Sequence, residues 1–261
     1  MSRRLTLALA VAAALALAAC QGPAVPTLTD PKEILAAAVR TTAEQSSVRI
    51  DAAIDGQVAI DLLGSGGAPI DLSGSSVSAD VDLAGGKARA TFNVSLLTGE
   101  LIAIDGVAYL KTTLTGPNYM AVPTGPLAQT GPSADPTTIL SGLTDLLAQP
   151  GLDPVKGDDV ECGGTTCYAV VIPLTPAELA SLGGGLELPT ALPIPIPIPD
   201  LSSASVDLTV LVAKDTTKLA GLRAAADRGD AGDLELDVTF SKWSEPVTVV
   251  APPADQVAPG G

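Results

Sequence analysis

The dominant pattern along this chain is an alternation of apolar and polar positions that recurs over most of its length. Apolar residues at every second position, with Asp, Arg, Thr or Ser between them, are typical of a β-strand with one buried and one solvated face. Such runs cover residues 48–62, 77–83, 88–96, 206–212 and 234–240. Asp105-Gly106 marks a tight hairpin turn between two further runs. The pattern predicts an antiparallel sheet of about eight to ten strands with one buried side.

Three segments have helical spacing instead. Asp30-Pro31 opens the first with a capping residue and a proline suited to the first turn, and an apolar stripe follows up to about residue 45. Asp135-Pro136 opens a second helix, which Pro150-Gly151 ends. A third, shorter helix starts at residues 175–178 and stops at the glycines 183–185. Strands with two or three helices predict an α+β fold: a strongly curved antiparallel sheet whose apolar face the helices cover.

The apolar face is built mostly of Val, Ala, Ile and Leu, since aromatic residues make up only 2% of the chain. Small side chains on a large curved sheet leave volume that a tight core would fill. Either the sheet closes on itself around a dry core, or the space beneath it holds a ligand. An apolar cavity would suit an acyl chain. The residue pattern alone leaves both alternatives open.

The N-terminus has the features of an export signal. Two arginines precede an apolar run over residues 5–16 that is too short to span a membrane, and small residues follow it. Leu17-Ala18-Ala19-Cys20 resembles the bacterial lipobox, which implies cleavage before Cys20 and a diacylglycerol with palmitate-type chains on its thiol. An ordinary secretory signal with a chance cysteine is the alternative. We therefore expect a signal peptide at 1–19, a lipidated tether at 20–29, one domain at 30–253 and a disordered tail at 254–261.

The two remaining cysteines fit an exported protein. Cys162 and Cys167 flank a short Gly-Gly-Thr-Thr loop between two strand-like runs. An oxidising compartment favours a disulfide between them. A redox motif has two intervening residues rather than four, and a zinc site needs more ligands than two thiols.

A Gly/Pro-rich segment at 183–199 interrupts the strand pattern and reads as an insertion. Its end is an apolar Pro-Ile repeat over 193–199, which cannot join a sheet ladder. One interpretation is a stiff spacer that crosses the surface. The other is a rim or lid of the cavity, with Ile194, Ile196 and Ile198 touching lipid or membrane.

Composition excludes several classes of function. The chain has no histidine, so it holds neither a Ser-His-Asp nor a Cys-His catalytic site and no His-ligated metal. Its formal net charge of −15 disfavours nucleic acid as a partner. The acidic loop at 227–233 lacks the ligand spacing of a calcium site. No nucleophile elbow or phosphate-binding loop is present. We therefore predict a protein without catalytic residues, metal or cofactor.

In their order along the chain, these features resemble the LppX/LprG/LprF family of actinobacterial lipoproteins, whose fold is like that of the LolA and LolB lipoprotein carriers. The resemblance covers nearly the whole chain after Cys20. Besides the lipobox, its motifs are residues 34–42 (ILAAAVRTT), 105–111 (DGVAYLK), 139–147 (ILSGLTDLL), the strand pair around 162–172, 175–179 (TPAEL) and 238–249 (VTFSKWSEPVTV).

The resemblance implies a half-barrel with helices on its concave side and a hydrophobic cavity for multiply acylated lipids. The expected partners are an acylated lipid or glycolipid, the membrane through the anchor, and an envelope lipid exporter or acceptor; the expected location is the extracytoplasmic face of the cell membrane. An envelope scaffold with a filled core is the alternative function. The residues predicted to line the cavity are Ile34, Leu35, Val39, Ile50, Ile54, Val58, Phe92, Val94, Leu140, Leu143, Leu147, Val210, Leu236 and Val238.

Overall fold

The computed structural model describes residues 27–60, 68–123, 152–176, 178, 204–227 and 232–258. Within them the chain forms an open, curved antiparallel sheet, as predicted. The strands are β1 (Ser47–Ile60), β2 (Ala68–Asp71), β3 (Ser75–Asp82), β4 (Lys87–Val94), β5 (Leu97–Ile104), β6 (Val107–Thr112), β7 (Met120–Pro123), β8 (Val155–Lys156), β9 (Val160–Cys162), β10 (Thr165–Leu174), β11 (Ser205–Ala213), β12 (Leu219–Asp227) and β13 (Asp233–Ser241).

The strand order is β7-β6-β5-β4-β3-β1-β13-β12-β11-β10-β8, with β2 paired to β1 and β9 paired to β10. The described part of the sheet has 13 strands, more than the sequence predicts. Four of them, β2, β7, β8 and β9, have two to four residues each. Runs this short contain too few alternations to give a periodic signal.

Helix α1 (Pro31–Ala43) starts as the sequence predicts. The carboxylate of Asp30 accepts hydrogen bonds from the backbone N–H groups of Lys32, at 2.8 Å, and Glu33, at 3.4 Å. These bonds satisfy donors that have no partner inside the helix. Its apolar stripe is buried: Ile34, Leu35 and Ala38 have no exposed surface. These residues pack against the apolar face of the sheet.

The strand register aligns the apolar positions into rows that cross the sheet. In one row, Val170 pairs with Val210, which pairs with Leu222 of β12 and through it with Val238 of β13. The row continues through Ala52, Val77, Phe92 and Gly99. Because side chains alternate across a strand, the residues between these positions face the opposite side. Along this row the concave side is therefore free of polar side chains from β10 to β5.

The convex side carries the charges, and several pair across strands. Arg49 lies opposite Asp80 in the register and contacts it at 3.1 Å. Arg223 lies opposite Asp237 and contacts it at 2.9 Å. These pairs are partly exposed, so we expect each to contribute little to stability. Their main consequence is for the strand register. Because the charged side chains need solvent, a shift by one residue that would turn them to the apolar side is disfavoured.

The C-terminal segment differs from the prediction of a disordered tail at 254–261. Residues Ala254–Gln256 form a 3₁₀ turn, and Tyr119 exchanges backbone hydrogen bonds with Gln256 and Ala258, both at 2.8 Å. Val249 and Val257 pack with Ile102 on the convex side of β5. The prediction is wrong for residues 254–258, because apolar positions on the convex side of β5 and β6 give this segment a surface to cover.

The tether boundary is also shifted. Leu28, assigned to the tether by the sequence, packs against the core, and its backbone N–H donates a hydrogen bond of 3.0 Å to the Tyr168 hydroxyl. The first helix is confirmed. The second predicted helix and most of the third lie outside the described residues. At the predicted start of the third, the Thr175 N–H and hydroxyl both donate to the Glu178 carboxylate, as in a capping box.

Candidate functional site

The concave face divides into two regions that differ in how they are covered. The first, here called the covered region, lies under α1 and includes β10, β11 and part of β12. Its side chains form the main core, in which Tyr168, Val170, Val210 and Val212 are at most 2% exposed. The hydroxyl of Thr42 accepts a hydrogen bond from the Leu219 N–H at 3.0 Å, which joins the end of α1 to β12. This region is closely packed.

The second, here called the open region, covers β3–β5 and the neighbouring ends of β1 and β13. Six apolar side chains of this region are half-buried and do not belong to the main core or to the residues packed against it. These side chains are Ile54, Val77, Phe92, Val94, Leu101 and Leu236. Partly exposed apolar side chains that neighbour one another across several strands are a candidate binding surface.

Phe92 has a particular place in the open region. It pairs across the strands with Gly99, and a Cβ atom added to Gly99 would collide with the Phe92 ring. The edge of the ring therefore occupies the space that a side chain at position 99 would take. The glycine leaves room for this aromatic side chain, which can contribute apolar contacts to a ligand.

The residues predicted to line a cavity fall into four groups. Ile34, Leu35 and Val210 have no exposed surface and belong to the packed core, so they support the face and are not free to touch a ligand. Val39, Ile50 and Val238 are partly buried and pack against that core.

Ile54, Phe92, Val94 and Leu236 lie together in the open region. The Val58 side chain and Leu140, Leu143 and Leu147 lie outside the described residues. Sequence reasoning missed Val77 and Leu101, although both occupy apolar positions of the period-two pattern that it used.

The depressions found among the described residues lie on the polar side. One of about 470 Å³ is lined by hydroxyl and amide side chains of β3–β5 together with Phe92, Gly99, Glu100 and Lys111, and one of about 190 Å³ lies beside Arg49 and Asp80. Both depressions have charged side chains in their walls, which an acyl chain does not need. We therefore take the open concave face as the candidate site.

The charged groups behind the open region hold one another in their ionised forms. Partial burial favours a neutral Glu100, but the hydrogen bonds from Tyr119, at 2.7 Å, and Arg89 outweigh it and leave the pKa of Glu100 below its ordinary value. The pKa of Asp51 is likewise low, because hydrogen bonds from Ser78 and Arg49 outweigh its desolvation. Both carboxylates are salt-bridged structural groups of the convex side, and neither faces the apolar surface.

Cys162 and Cys167 are joined by a disulfide, with 5.9 Å between their Cα atoms. It closes the β9–β10 hairpin, and Cys167 packs with Ala169 and Leu211 in a small cluster on the convex side. In the described part of the chain no group of three or more acidic or cysteine side chains is placed to hold a metal ion. No helix of that part is long and apolar enough to cross a bilayer.

Comparison with solved structures connects this architecture to known proteins. LprF from Mycobacterium bovis superposes with a TM-score of 0.53 at 19% identity, over 85% of this chain and 96% of that one. The chain has the LprF fold. The Mycobacterium tuberculosis lipoprotein LppX gives a TM-score of 0.48 at 16% identity, over 84% of this chain and 98% of LppX. A LolA-superfamily protein from Nitrosomonas europaea is more distant, with a TM-score of 0.27 at 11% identity.

No protein-family model matches the chain, and no curated protein matches it in sequence. The superposition on LprF confirms, at the level of the fold, the resemblance that the sequence indicates. In the LprF fold as this chain has it, helix α1 covers the β10–β12 side, and the open region occupies the β3–β5 side of the same concave face.

Proposed function

We propose that this protein is a lipid-binding lipoprotein, anchored through Cys20 at the extracytoplasmic face of the cell membrane, which carries or presents acylated lipids or glycolipids without chemical change. The observation that supports this most directly is the open region. Apolar side chains that neighbour one another across several strands on the concave side of an LprF-like sheet offer contacts to a hydrocarbon chain.

The energetics favour this class of ligand. Moving a methylene group from water to an apolar surface contributes about 0.8 kcal/mol, so a long acyl chain gains much more from this face than any polar ligand of similar size. Val77, Leu101 and Leu236 supply aliphatic contacts, and Phe92 supplies a flat ring. No bond has to be made or broken, and Glu100 on the convex side is engaged in ion pairs with Arg89 and Lys111.

Native mass spectrometry of the full chain carrying Cys20→Ala tests the proposal. It should be purified from a host with a similar envelope, and any bound lipid should be extracted and identified. We expect a stoichiometric adduct of an acylated lipid. A clean apo mass in a protein that also ignores added phospholipid would contradict the proposal and favour the envelope scaffold.

A matched pair of variants locates the binding surface. Ala52 lies on the concave side beside Val77, whereas its neighbour Ala53 is exposed on the convex side opposite Asp237. Ala52→Trp fills part of the open region and is expected to remove most of the bound lipid. Ala53→Trp adds the same volume on the other side and is expected to leave the adduct unchanged. Equal lipid loss in both variants would place the ligand elsewhere.

A further inference from the structure

Two large apolar side chains stand almost fully in water at one end of the sheet. Leu96 is 94% exposed in the β4–β5 turn, and Leu114 is 79% exposed in the β6–β7 connection. The two turns are neighbours, because Gly99 pairs with Thr112 and the Thr113 N–H donates a hydrogen bond of 3.0 Å to the Thr98 carbonyl. They lie at the same end of adjacent hairpins.

Both turns are held in place from below by buried hydroxyl groups. Ser75 is 2% exposed, and its hydroxyl accepts a hydrogen bond from the Ser95 N–H at 3.1 Å. Thr112 is 3% exposed, and its hydroxyl accepts from the N–H groups of Leu114, at 3.2 Å, and Thr115, at 3.1 Å. Buried polar groups are retained where they satisfy specific backbone donors. Here they fix the two turns so that the leucines point outwards.

The chain around the two leucines carries no charge. Residues 93–98 and 112–120 contain no Asp, Glu, Lys or Arg, in a protein whose formal net charge is −15. The first charged residues below them, Glu100 and Lys111, contact each other at 3.7 Å. Charged groups are costly at the apolar boundary of a membrane, whereas Leu, Thr and Asn are tolerated there.

We propose that this end of the sheet, named here the leucine tips (Leu96 and Leu114), inserts into the surface of a lipid bilayer. A specific protein interface buries roughly 1,200 Å² or more, which two side chains do not approach. A bilayer has no such threshold, because each inserted side chain is transferred on its own into a continuous apolar phase.

The leucine tips also adjoin the open region. Val94 and Leu97, which pair directly below Leu96, continue the apolar face towards Phe92. Inserted tips would therefore bring the end of the open region to the bilayer surface. This inference goes beyond the proposed function, and it holds or fails independently of whether a lipid is carried.

Depth-dependent fluorescence quenching tests the leucine tips. Full chains with Cys20→Ser, in which no acyl anchor can form, are prepared with a single added tryptophan at Leu96→Trp or Leu114→Trp. Val155→Trp and Val250→Trp are the controls, because these residues are 58% and 64% exposed at other places in the fold. The native Trp243 stacks on Phe240 and gives the same baseline in every variant.

In phosphatidylcholine vesicles with brominated acyl chains, we expect strong quenching at both tip positions and none above baseline at the controls. The double variant Leu96→Ser/Leu114→Ser should sediment with these vesicles less than the parent, while Val155→Ser should not differ from it. Phosphatidylglycerol in the vesicles should weaken binding, because the protein is acidic.

Absent quenching at the tips, or equal quenching at the tips and the controls, would overturn the inference. Lipid loading measured by native mass spectrometry is a separate readout. A protein that carries lipid but shows unquenched tips would refute the inference alone, and one with quenched tips but no lipid would refute the proposed function alone.

Discussion

The covered region and the open region belong to one sheet, have the same alternation of apolar positions and differ in whether α1 lies over them. Under α1, Val170, Val210 and Val212 have no exposed surface. Across β3–β5, residues of the same chemical kind, such as Val77 and Leu101, are half-buried. An apolar strand face becomes a core only where a second element covers it, and the same face can otherwise serve as a binding surface.

The largest expected difference concerns truncation of a leucine in each region. Leu35→Ala leaves a cavity beneath α1 and should lower the free energy of unfolding by about 2–5 kcal/mol. Leu101→Ala truncates a side chain that is only partly buried, so we expect a smaller cost of about 1 kcal/mol. Urea denaturation of both variants measures this. Equal losses would mean that the open region is packed as tightly as the covered one.

The opposite change, from small to large, should also separate the regions. Ala38 in α1 has no exposed surface, and Ala38→Leu should destabilise the protein by about 1–3 kcal/mol through overpacking. Ala90 is half-buried in the open region, and Ala90→Leu should change stability by no more than about 0.5 kcal/mol. Thermal unfolding compares the two, and a large penalty for Ala90→Leu would argue against free space above β4.

The junction between α1 and β12 gives a third test. Thr42 is 1% exposed and accepts the hydrogen bond from the Leu219 N–H. Thr42→Val keeps the shape but leaves that donor without its acceptor, at a cost of about 1–2 kcal/mol in the free energy of unfolding. Thr42→Ser keeps the hydroxyl and serves as the control. Similar losses in both variants would show that the methyl group, and not the hydrogen bond, matters here.

The smallest effect concerns the convex side behind the open region, where the Tyr119 hydroxyl donates to Glu100. Tyr119→Phe should cost about 1 kcal/mol at neutral pH. The pKa of Glu100 is lowered in the folded protein, so its stabilising contribution is present above the ordinary carboxyl pKa and is lost as the pH falls through the lowered one. The difference between wild type and Tyr119→Phe in urea denaturation should therefore shrink in acid. A difference independent of pH would contradict this assignment.

The sequence by itself determined the antiparallel sheet, the start of α1 and the Asp105-Gly106 turn, because these depend on local signals: period-two alternation, a capping side chain and a pair of residues that accept positive φ. The same periodicity predicted Ile54, Phe92, Val94 and Leu236 as residues that face a ligand, and these four lie in the open region. Their contact with a ligand stays a prediction.

Only the tertiary structure decided which apolar positions are core and which form the open region. Val210 and Val94 lie in strands with the same alternating pattern and on the same concave face. Helix α1 packs over the part of that face that contains Val210 and not over the part that contains Val94. The order of residues 254–258 and the placement of Leu28 against Tyr168 depend likewise on partners far away in the chain. A local pattern specifies which side of a strand is apolar, whereas burial depends on long-range contacts that periodicity does not encode.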